Sequence, residues 1–387
     1  MFRPQIQKTR VLIFMALFSL LMVYSSRSSK VVHTAVGYKE KLEASEIMES
    51  ALKILKKEVR KKLNINGDYK ILKAIDPHTT GLIFKDDSPI RSSSGDLLSK
   101  QTVLKPNFAA LVVNELMNAG IKDGDTVAIG MTGSMPGANI ATLSACKSMN
   151  VFPVVISSVG SSTWGATHPE FTWLDMEYSL VKNKILDNQS IYASLGGRGD
   201  CLRKSDLNEW NEGRKLIKLA AERNNISLIP YVLPLHEQNL SKSIDKRIKL
   251  YADNIGQLDN YAAYINVGGG AASIGIGGKD ILLKPGYLSV EDILYSNPNN
   301  SVIRKFAQAG VPAIHILHIP QMVKGVIPFG SEKSDTGLGI LYKEERYNLL
   351  IAGIALILSL GLVIGIGIYS HEQIKKRMQS YEPESIL

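Results

Sequence analysis

An uncharged apolar segment near the C-terminus constrains this chain more than any other feature. Residues 349–369 form a run of 21 residues without a charged side chain, which is the length that an α-helix needs to cross the hydrocarbon core of a bilayer. The run therefore predicts a transmembrane helix over 349–369. The basic residues that follow it are Lys375, Lys376 and Arg377. By the positive-inside rule, they place the tail, residues 370–387, in the cytoplasm.

A second apolar run, Val11 to Tyr24, lies near the N-terminus behind Arg3, Lys8 and Arg10. Its length of about 14 residues leaves two interpretations open, a cleavable signal peptide or an uncleaved membrane anchor. No small-x-small cleavage motif follows the run directly, which favours an uncleaved anchor over residues 1–26. The basic residues place this end in the cytoplasm as well. The roughly 320 residues between the two runs then lie on the other side of the membrane.

Composition narrows the class of protein. Hydrophobic residues make up 45% of the 387 residues and charged residues 21%, as in a folded globular protein. Two cysteines, Cys146 and Cys201, are too few for a disulfide framework and lack the paired spacing of a zinc site, and a bond between them stays open. The net charge is +9, of which about +6 falls between the apolar runs. This excess of positive charge suits an acidic ligand, or it serves solubility alone. Nucleic acid is disfavoured as the ligand because the predicted topology places this part of the chain outside the cytoplasm.

The order of helices and strands predicts the fold class. Residues 27–104 are predicted as a helical and mixed membrane-proximal segment, with one amphipathic helix from Glu40 to Leu63. Over residues 105–345, helices alternate with short, almost wholly apolar strands, which predicts a parallel sheet with helices on both faces, a Rossmann-like α/β domain. Ligands bind such sheets at the carboxyl ends of the strands. The predicted strands are 126–130, 151–156, 226–229, 261–267 and 311–317, and the predicted helices are 108–119, 137–148, 206–223, 237–252 and 302–309.

The first candidate loop joins a predicted strand to a predicted helix and carries Gly130, Gly133, Ser134, Gly137 and Asn139. Glycines permit a tight turn, and the free amides of a helix N-terminus attract anions, so this loop is a candidate ligand contact. Its spacing matches neither a dinucleotide-binding fingerprint nor a P-loop, and the Gly-x-Ser-x-Gly pattern fails. Ser134 is a candidate nucleophile, with helix capping or plain ligand contact as the alternatives.

The second candidate loop follows the next strand and contains Ser161, Trp164, His168 and Asp175. His168 is a candidate general base for Ser134 or for a hydroxyl of its own loop, and Asp175 is a candidate to orient the imidazole ring. Ser161 and Trp164 are candidate ligand contacts. The alternative is that His168 is an ordinary loop residue, because closeness in sequence does not establish geometry.

A third, glycine-rich loop follows the strand predicted at 261–267 and runs to residue 278. Glycines let a backbone approach a ligand closely, although a flexible connection has the same composition. The candidate contacts are Gly268, Gly269 and Gly270. A fourth loop carries His315 and His318, which we interpret as structural because no carboxylate or cysteine accompanies them in sequence. The sequence predicts no metal and no cofactor, and the Arg-Gly-Asp tripeptide at 198–200 is attributed to chance.

Four motifs occur between the terminal anchors: GSMPGAN at 133–139, WGATHP at 164–169, GGRGD at 196–200 and NVGGG at 266–270. With the anchors, they resemble the bacterial poly-gamma-glutamate system protein family, and the resemblance spans most of the chain. It implies a part in making and exporting poly-gamma-glutamate, an anionic capsule polymer, at the bacterial cytoplasmic membrane. It also implies polymer synthase and export proteins as membrane partners, and it supplies no catalytic residues.

Two classes of function fit these features. As a binding module, the domain between the anchors holds polymer carboxylates with backbone amides and lysines; this hypothesis is preferred because no established catalytic motif is met. As an enzyme, the domain hydrolyses or transfers the gamma-glutamyl amide, with Ser134 attacking, His168 moving protons and the glycine-loop amides stabilising the oxyanion. An envelope hydrolase that acts on a different substrate is a third hypothesis.

Overall fold

The computed structural model of the chain describes residues 9–63, 75–84, 88–202, 204, 206–231, 238–276 and 283–379. The chain forms two compact units. The terminal unit combines the chain up to Ala35 with the chain from Lys343 onward, and the central unit extends from Val36 to Tyr342. Predictions that involve Arg3, Lys8 and residues 237, 277 and 278 lie outside the described residues.

The helices and strands follow each other in a largely alternating order. The helices are α1 (Thr9–Ser28), α2 (Tyr38–Leu63), α3 (Leu97–Val103), α4 (Asn107–Asn118), α5 (Pro136–Ser148), α6 (Trp173–Lys182), α7 (Leu207–Arg223), α8 (Gln238–Ile255), α9 (Ala271–Ile274), α10 (Val290–Ser296), α11 (Val302–Gln308), α12 (Ile319–Met322) and α13 (Leu349–Gln379). The strands are β1 (Lys30–Thr34), β2 (Arg91–Ser93), β3 (Thr126–Thr132), β4 (Phe152–Ser158), β5 (Ser161–Ser162), β6 (Tyr192–Ser194), β7 (Ser227–Leu228), β8 (Ala263–Val267), β9 (Gly286–Leu288), β10 (Ala313–Ile316) and β11 (Lys343–Tyr347).

The terminal unit contains α1 and α13, which are both long and apolar enough to cross a membrane. Strand β1 follows α1 and β11 precedes α13, and the two strands pair in antiparallel register with Lys30 opposite Tyr347. The N–H of Asn348 donates a hydrogen bond of 2.9 Å to the carbonyl of Ser29 beside this pair. The two helices also contact each other. The free ends of α1 and α13 therefore lie at the same end of the helix pair.

The central unit is built on a seven-stranded sheet, whose order in the described residues is β7-β6-β4-β3-β8-β10-β9. Neighbouring strands run parallel, except that β9 pairs antiparallel with β10 at one edge. From β3 the chain builds one side of the sheet through β4, β6 and β7, and then returns to build the other side from β8. The loops after β3 and β8 diverge where this direction reverses, and such a reversal leaves a crevice at the carboxyl edge.

Apolar side chains bury both faces of the sheet. Along β3, Val127 and Ile129 belong to one core cluster, and the intervening Ala128 belongs to another. The first cluster includes apolar residues of α2, α4 and α5, and the second includes Tyr251 of α8 and Phe306 of α11. A strand that is covered on both faces has a continuous run of apolar residues, and such runs are what the sequence shows at the predicted strands. The structure thus confirms a mixed α/β fold with a mostly parallel sheet flanked by helices.

The boundaries differ from the sequence prediction at one important place. The helices and strands predicted after residue 105 all have counterparts whose ends differ by only a few residues. However, the central unit begins at Val36, so a boundary at residue 104 does not separate two compact units. The reason is α2, whose apolar face buries Met48, Leu55 and Val59 against α4 and α5. The many charges of α2 occupy its other face.

Candidate functional site

A cleft of about 1030 Å³ opens at the carboxyl edge of the parallel strands, where α/β sheets bind their ligands. The loops after β3, β4, β6, β8 and β10 line it, together with the chain from β2 into α3. Of the residues that the sequence singled out as site candidates, the cleft lining includes Ser134, Gly269 and Gly270. It also includes residues that were not singled out as contacts: Lys100, Ser162, Arg198, His315 and His318.

Lys100, Ser134 and Ser162, which we call the lysine cluster, meet in this cleft. The Nζ atom of Lys100 lies 2.9 Å from Ser162 Oγ and donates a hydrogen bond to the Ser134 carbonyl oxygen. The N–H of Ser162 donates to Ser134 Oγ at 2.9 Å. Lys100 is only 3% exposed and Ser162 only 6%, yet both line the cleft. Each member of the cluster is thus held by the other two.

Short-range structure around α3 places the lysine. Strand β2 pairs in parallel with β5, which brings residues 91–93 beside Ser162. Asp96 then caps α3 by accepting a hydrogen bond of 2.9 Å from the Ser99 N–H, and Lys100 follows one turn later. Gly95 permits this close approach, because a Cβ atom there would lie 3.0 Å from Ser162 Oγ and 3.3 Å from Lys100 Cε.

Burial changes the proton affinity of the lysine. Removal from water disfavours the charged ammonium and lowers the pKa of Lys100 to about 8, while the field of Asp96 opposes this shift. A substantial fraction of the amine is therefore neutral slightly above neutral pH. A neutral amine has a lone pair that accepts a hydrogen bond, so the Lys100–Ser162 contact can run from the hydroxyl to the nitrogen.

Two further basic groups reach the cleft from other loops. Arg198 is exposed, and its guanidinium makes no ion pair with another described residue. His315 is 1% exposed, and its Nδ1 lies 2.9 Å from Asn266 Nδ2. Burial and the neighbouring His318 lower the pKa of His315 to about 4, so its ring is neutral near pH 7. The fourth loop, interpreted from sequence as structural, contributes to the cleft.

A buried ion pair supports the loop that carries Arg198. Asp200 Oδ2 lies 3.0 Å from an Arg247 nitrogen and accepts a hydrogen bond of 2.5 Å from Ser243 Oγ. The other carboxylate oxygen accepts from Ser194 Oγ, at the end of β6, at 2.7 Å. The Arg-Gly-Asp tripeptide, which we attributed to chance, thus has an outward-facing arginine and an inward-facing aspartate two residues apart.

The predicted relay from Asp175 through His168 to Ser134 is not joined by hydrogen bonds among the described residues. His168 Nδ1 accepts from the Glu170 N–H at 3.3 Å, and neither His168 nor Asp175 lines the cleft. Asp175 caps α6 and forms an ion pair of 2.5 Å with Arg223. Burial would raise the pKa of Asp175, but hydrogen bonds from Arg223 and Asn224 lower it below its usual value. Only Ser134 of the three lies in the cleft.

The other predicted ligand contacts divide into two groups. Gly269 and Gly270 line the cleft, and Gly268 precedes them with a φ of +92° that favours glycine. The remaining predicted contacts lie outside the cleft lining: Gly130, Gly133, Gly137, Asn139, Ser161 and Trp164. Two of them support the loop from behind, since Asn139 Nδ2 donates to the Thr132 carbonyl and Ser161 Oγ donates to the Gly133 carbonyl, both at 2.9 Å.

The residues that sequence reasoning missed carry weak signals. Lys100 lies in a seven-residue helix, which is too short for a clear hydrophobic period. Ser162 lies in a serine-rich loop, where no single hydroxyl stands out. The two cysteines, whose pairing the sequence left open, are both buried, and no disulfide joins them.

The chain matches no protein-family model, and searches of curated proteins and of solved structures find no match either.

Proposed function

We propose that this chain is a membrane-anchored component of poly-gamma-glutamate synthesis and export, and that its central unit binds the acidic polymer in the cleft. The observation that carries the proposal is the charge of the cleft. Among the described residues that line it, the one carboxylate is Asp96, which is engaged in capping α3, whereas the guanidinium of Arg198 is exposed and has no ion-pair partner in that same set. Arginine binds carboxylates through paired N–H donors.

The rest of the cleft also suits a chain of carboxylates. Serine and threonine hydroxyls supply further donors, and Gly269 and Gly270 expose backbone beside them. A volume of about 1030 Å³ admits several residues of an extended polymer. The reversal of strand order between β3 and β8 supports assignment of the sheet to the Rossmann-like class, in which this crevice is the usual binding position.

The terminal unit supports the membrane part of the proposal. The pairing of β1 with β11, where α1 ends and α13 begins, supports a topology in which the free ends of the two helices lie on one side of a bilayer. The basic residues Lys375 and Lys376 assign that side to the cytoplasm, and the central unit then lies outside the bacterial cytoplasmic membrane. The partners proposed there are the polymer synthase and export proteins.

Arg198→Ala is expected to weaken polymer binding about tenfold or more, because a charged hydrogen bond to a carboxylate is lost. Binding of poly-gamma-glutamate to the full chain in detergent micelles measures this effect, at about 50 mM and about 300 mM salt. Salt should weaken the wild type more than the variant, because the lost contact is an exposed charge.

The control for that experiment is Lys215→Ala, which removes one positive charge from the exposed face of α7. It is expected to bind like the wild type, and Arg198→Lys is expected to bind at an intermediate level because it keeps the charge without the paired donors. Equal weakening by Arg198→Ala and Lys215→Ala would show attraction to overall charge and would contradict a binding cleft.

The first apolar segment is expected to remain attached. Since α1 contacts α13 and continues into β1, its removal would take one of two packed helices from the terminal unit. The intact mass of the protein purified from membranes should therefore include residues 1–26. A mature chain that starts near residue 27 would instead identify a cleaved signal peptide.

The catalytic alternative through a Ser134–His168 pair gains no support from the hydrogen bonds of His168, which run within its own loop. The same holds for an unrelated envelope hydrolase that relies on this pair.

A further inference from the structure

We propose that Ser162 and Lys100 form a nucleophile–base pair that cleaves an amide bond in the cleft. Ser162 Oγ is the nucleophile and Lys100 Nζ is the general base. The assignment of the substrate as a carboxylate-bearing amide, such as a gamma-glutamyl linkage, rests on the proposed function. The pair itself rests only on the geometry of the lysine cluster.

No carboxylate among the described residues forms an ion pair with the buried Lys100. Buried lysines usually pair with a carboxylate. Here the hydrogen bonds of Lys100 Nζ go to the Ser134 carbonyl and to Ser162 Oγ, and no ion pair of Lys100 occurs in the described residues. An amine held 2.9 Å from a hydroxyl that lines a large cleft has the arrangement of a base beside its nucleophile.

The charge state of the Lys100 amine also suits a general base. Burial lowers the pKa of Lys100 to about 8, which is close to working pH and suits proton transfer. Asp96, which caps the helix that carries Lys100, is the charged group that opposes the shift. Arg198 and His318 line the same cleft from the loops after β6 and β10.

The reaction balances without any group beyond water. Neutral Lys100 Nζ takes the proton of Ser162 Oγ as the oxygen bonds to the amide carbon, and the ammonium then gives a proton to the amide nitrogen as the carbon–nitrogen bond breaks. The amine leaves and an ester remains on Ser162. Water next loses a proton to Lys100 and attacks the ester, and Ser162 regains its proton as the acid leaves.

Ser134 has a positioning part in this scheme. Its carbonyl accepts a hydrogen bond from the Lys100 amine, which leaves the nitrogen lone pair free to face Ser162. Its Oγ accepts the Ser162 N–H and donates to no other described residue. We expect Ser134→Ala to slow the reaction without abolishing it, whereas Ser162→Ala removes the attacking atom.

The test is covalent labelling of the full chain, in detergent micelles, by a fluorophosphonate probe, which reacts with activated serines. Mass spectrometry should locate the label on Ser162. Lys100→Met should slow labelling by about 100-fold or more, because it removes the base at similar side-chain volume. The wild-type labelling rate should rise with pH around an apparent pKa of about 8.

Two variants control for mere loss of structure. Lys105→Met replaces another buried lysine whose pKa burial lowers to about 8, but which bonds to the Pro328 carbonyl. Ser144→Ala replaces a buried hydroxyl that has no hydrogen-bond partner in the described part of the chain. Both should label at the wild-type rate, and thermal melting should show that all variants are folded.

Absence of label on Ser162 in the folded wild type, or an unchanged rate in folded Lys100→Met, overturns the pair. Polymer binding, measured separately, tests the proposed function, so failure of the pair can be distinguished from failure of that function. Label on Ser162 without polymer binding keeps the pair and overturns its assigned substrate. Polymer binding without label keeps the binding cleft and overturns the pair.

Discussion

Replacement of Asp200 by alanine is expected to lower the free energy of unfolding by about 3–5 kcal/mol. The carboxylate lies in the buried pair with Arg247, and both side chains are almost fully buried, at 1% and 5% exposure. Removal of one partner leaves the other charge in the interior without compensation. Thermal melting of the full chain should show this as a decrease of roughly 10 °C.

The double variant Asp200→Ala with Arg247→Met separates the buried charge from the lost packing. It is expected to be more stable than Asp200→Ala alone, because it removes the unpaired charge that the single variant leaves. Asp187→Ala provides a contrast, since Asp187 forms a solvent-exposed ion pair of 2.9 Å with Lys147 and should matter by less than about 1 kcal/mol. A double variant less stable than the single one would contradict this account.

The same substitution bears on the cleft. Asp200 bonds to Ser194 and Ser243, which fixes the end of β6 and α8 around the loop of Arg198. Loss of the carboxylate should therefore weaken polymer binding even at temperatures where the protein stays folded. The defect should resemble that of Arg198→Ala, because the guanidinium keeps its charge but loses its position.

Most of the sheet is predictable from the sequence because its main strands share one property, burial on both faces, which leaves the same apolar pattern in each of them. Strands such as β3 and β4 are buried on both faces, so every residue is selected to be apolar or small. Three strands that escaped prediction, β2, β5 and β9, have two or three residues each. Such strands are too short to show alternation, and β2 and β5 consist largely of serine.

The position of the cleft was predictable from the sequence, but the side chains that meet in it were not. The rule for parallel sheets correctly directs attention to the loops after the strands, and Ser134, Gly269 and Gly270 do line the cleft. The contact between Lys100 and Ser162 spans 62 positions and depends on how α3 docks beside β5. No periodicity or spacing rule reports a contact of that kind. His168 was selected because it stands near hydroxyls in sequence, and its own loop satisfies it instead.

Two acidic residues that follow the second candidate loop, Asp175 and Glu177, also lie near candidate site residues in sequence but have structural roles. Asp175 is neutralised by Arg223, and Glu177 is completely buried. The Glu177 carboxylate accepts hydrogen bonds from the Ser190 N–H at 2.9 Å and from Ser190 Oγ at 3.0 Å. These contacts fix the segment that enters β6. Both carboxylates are therefore assigned to the fold.

Glu177→Gln is expected to stabilise the protein above neutral pH and to leave its stability unchanged at about pH 4. Burial raises the pKa of Glu177 to about 7, whereas an unfolded glutamate titrates near 4.5. Between these values the folded state holds a proton that the unfolded state has released, so wild-type stability falls as pH rises. Above about pH 7 the loss is complete and amounts to about 3 kcal/mol at most.

Thermal melting of the wild type and the variant at pH 4, 6 and 8 measures this difference. Comparison at each pH removes the contribution of His315, whose lowered pKa acts in the opposite direction but equally in both proteins. Glu212→Gln, on the exposed side of α7, should change nothing at any pH. An equal difference between wild type and Glu177→Gln at pH 4 and pH 8 would mean that Glu177 keeps its ordinary pKa. The carboxylate would then be charged at neutral pH in contact with the segment before β6, and its assignment to the fold alone would fail.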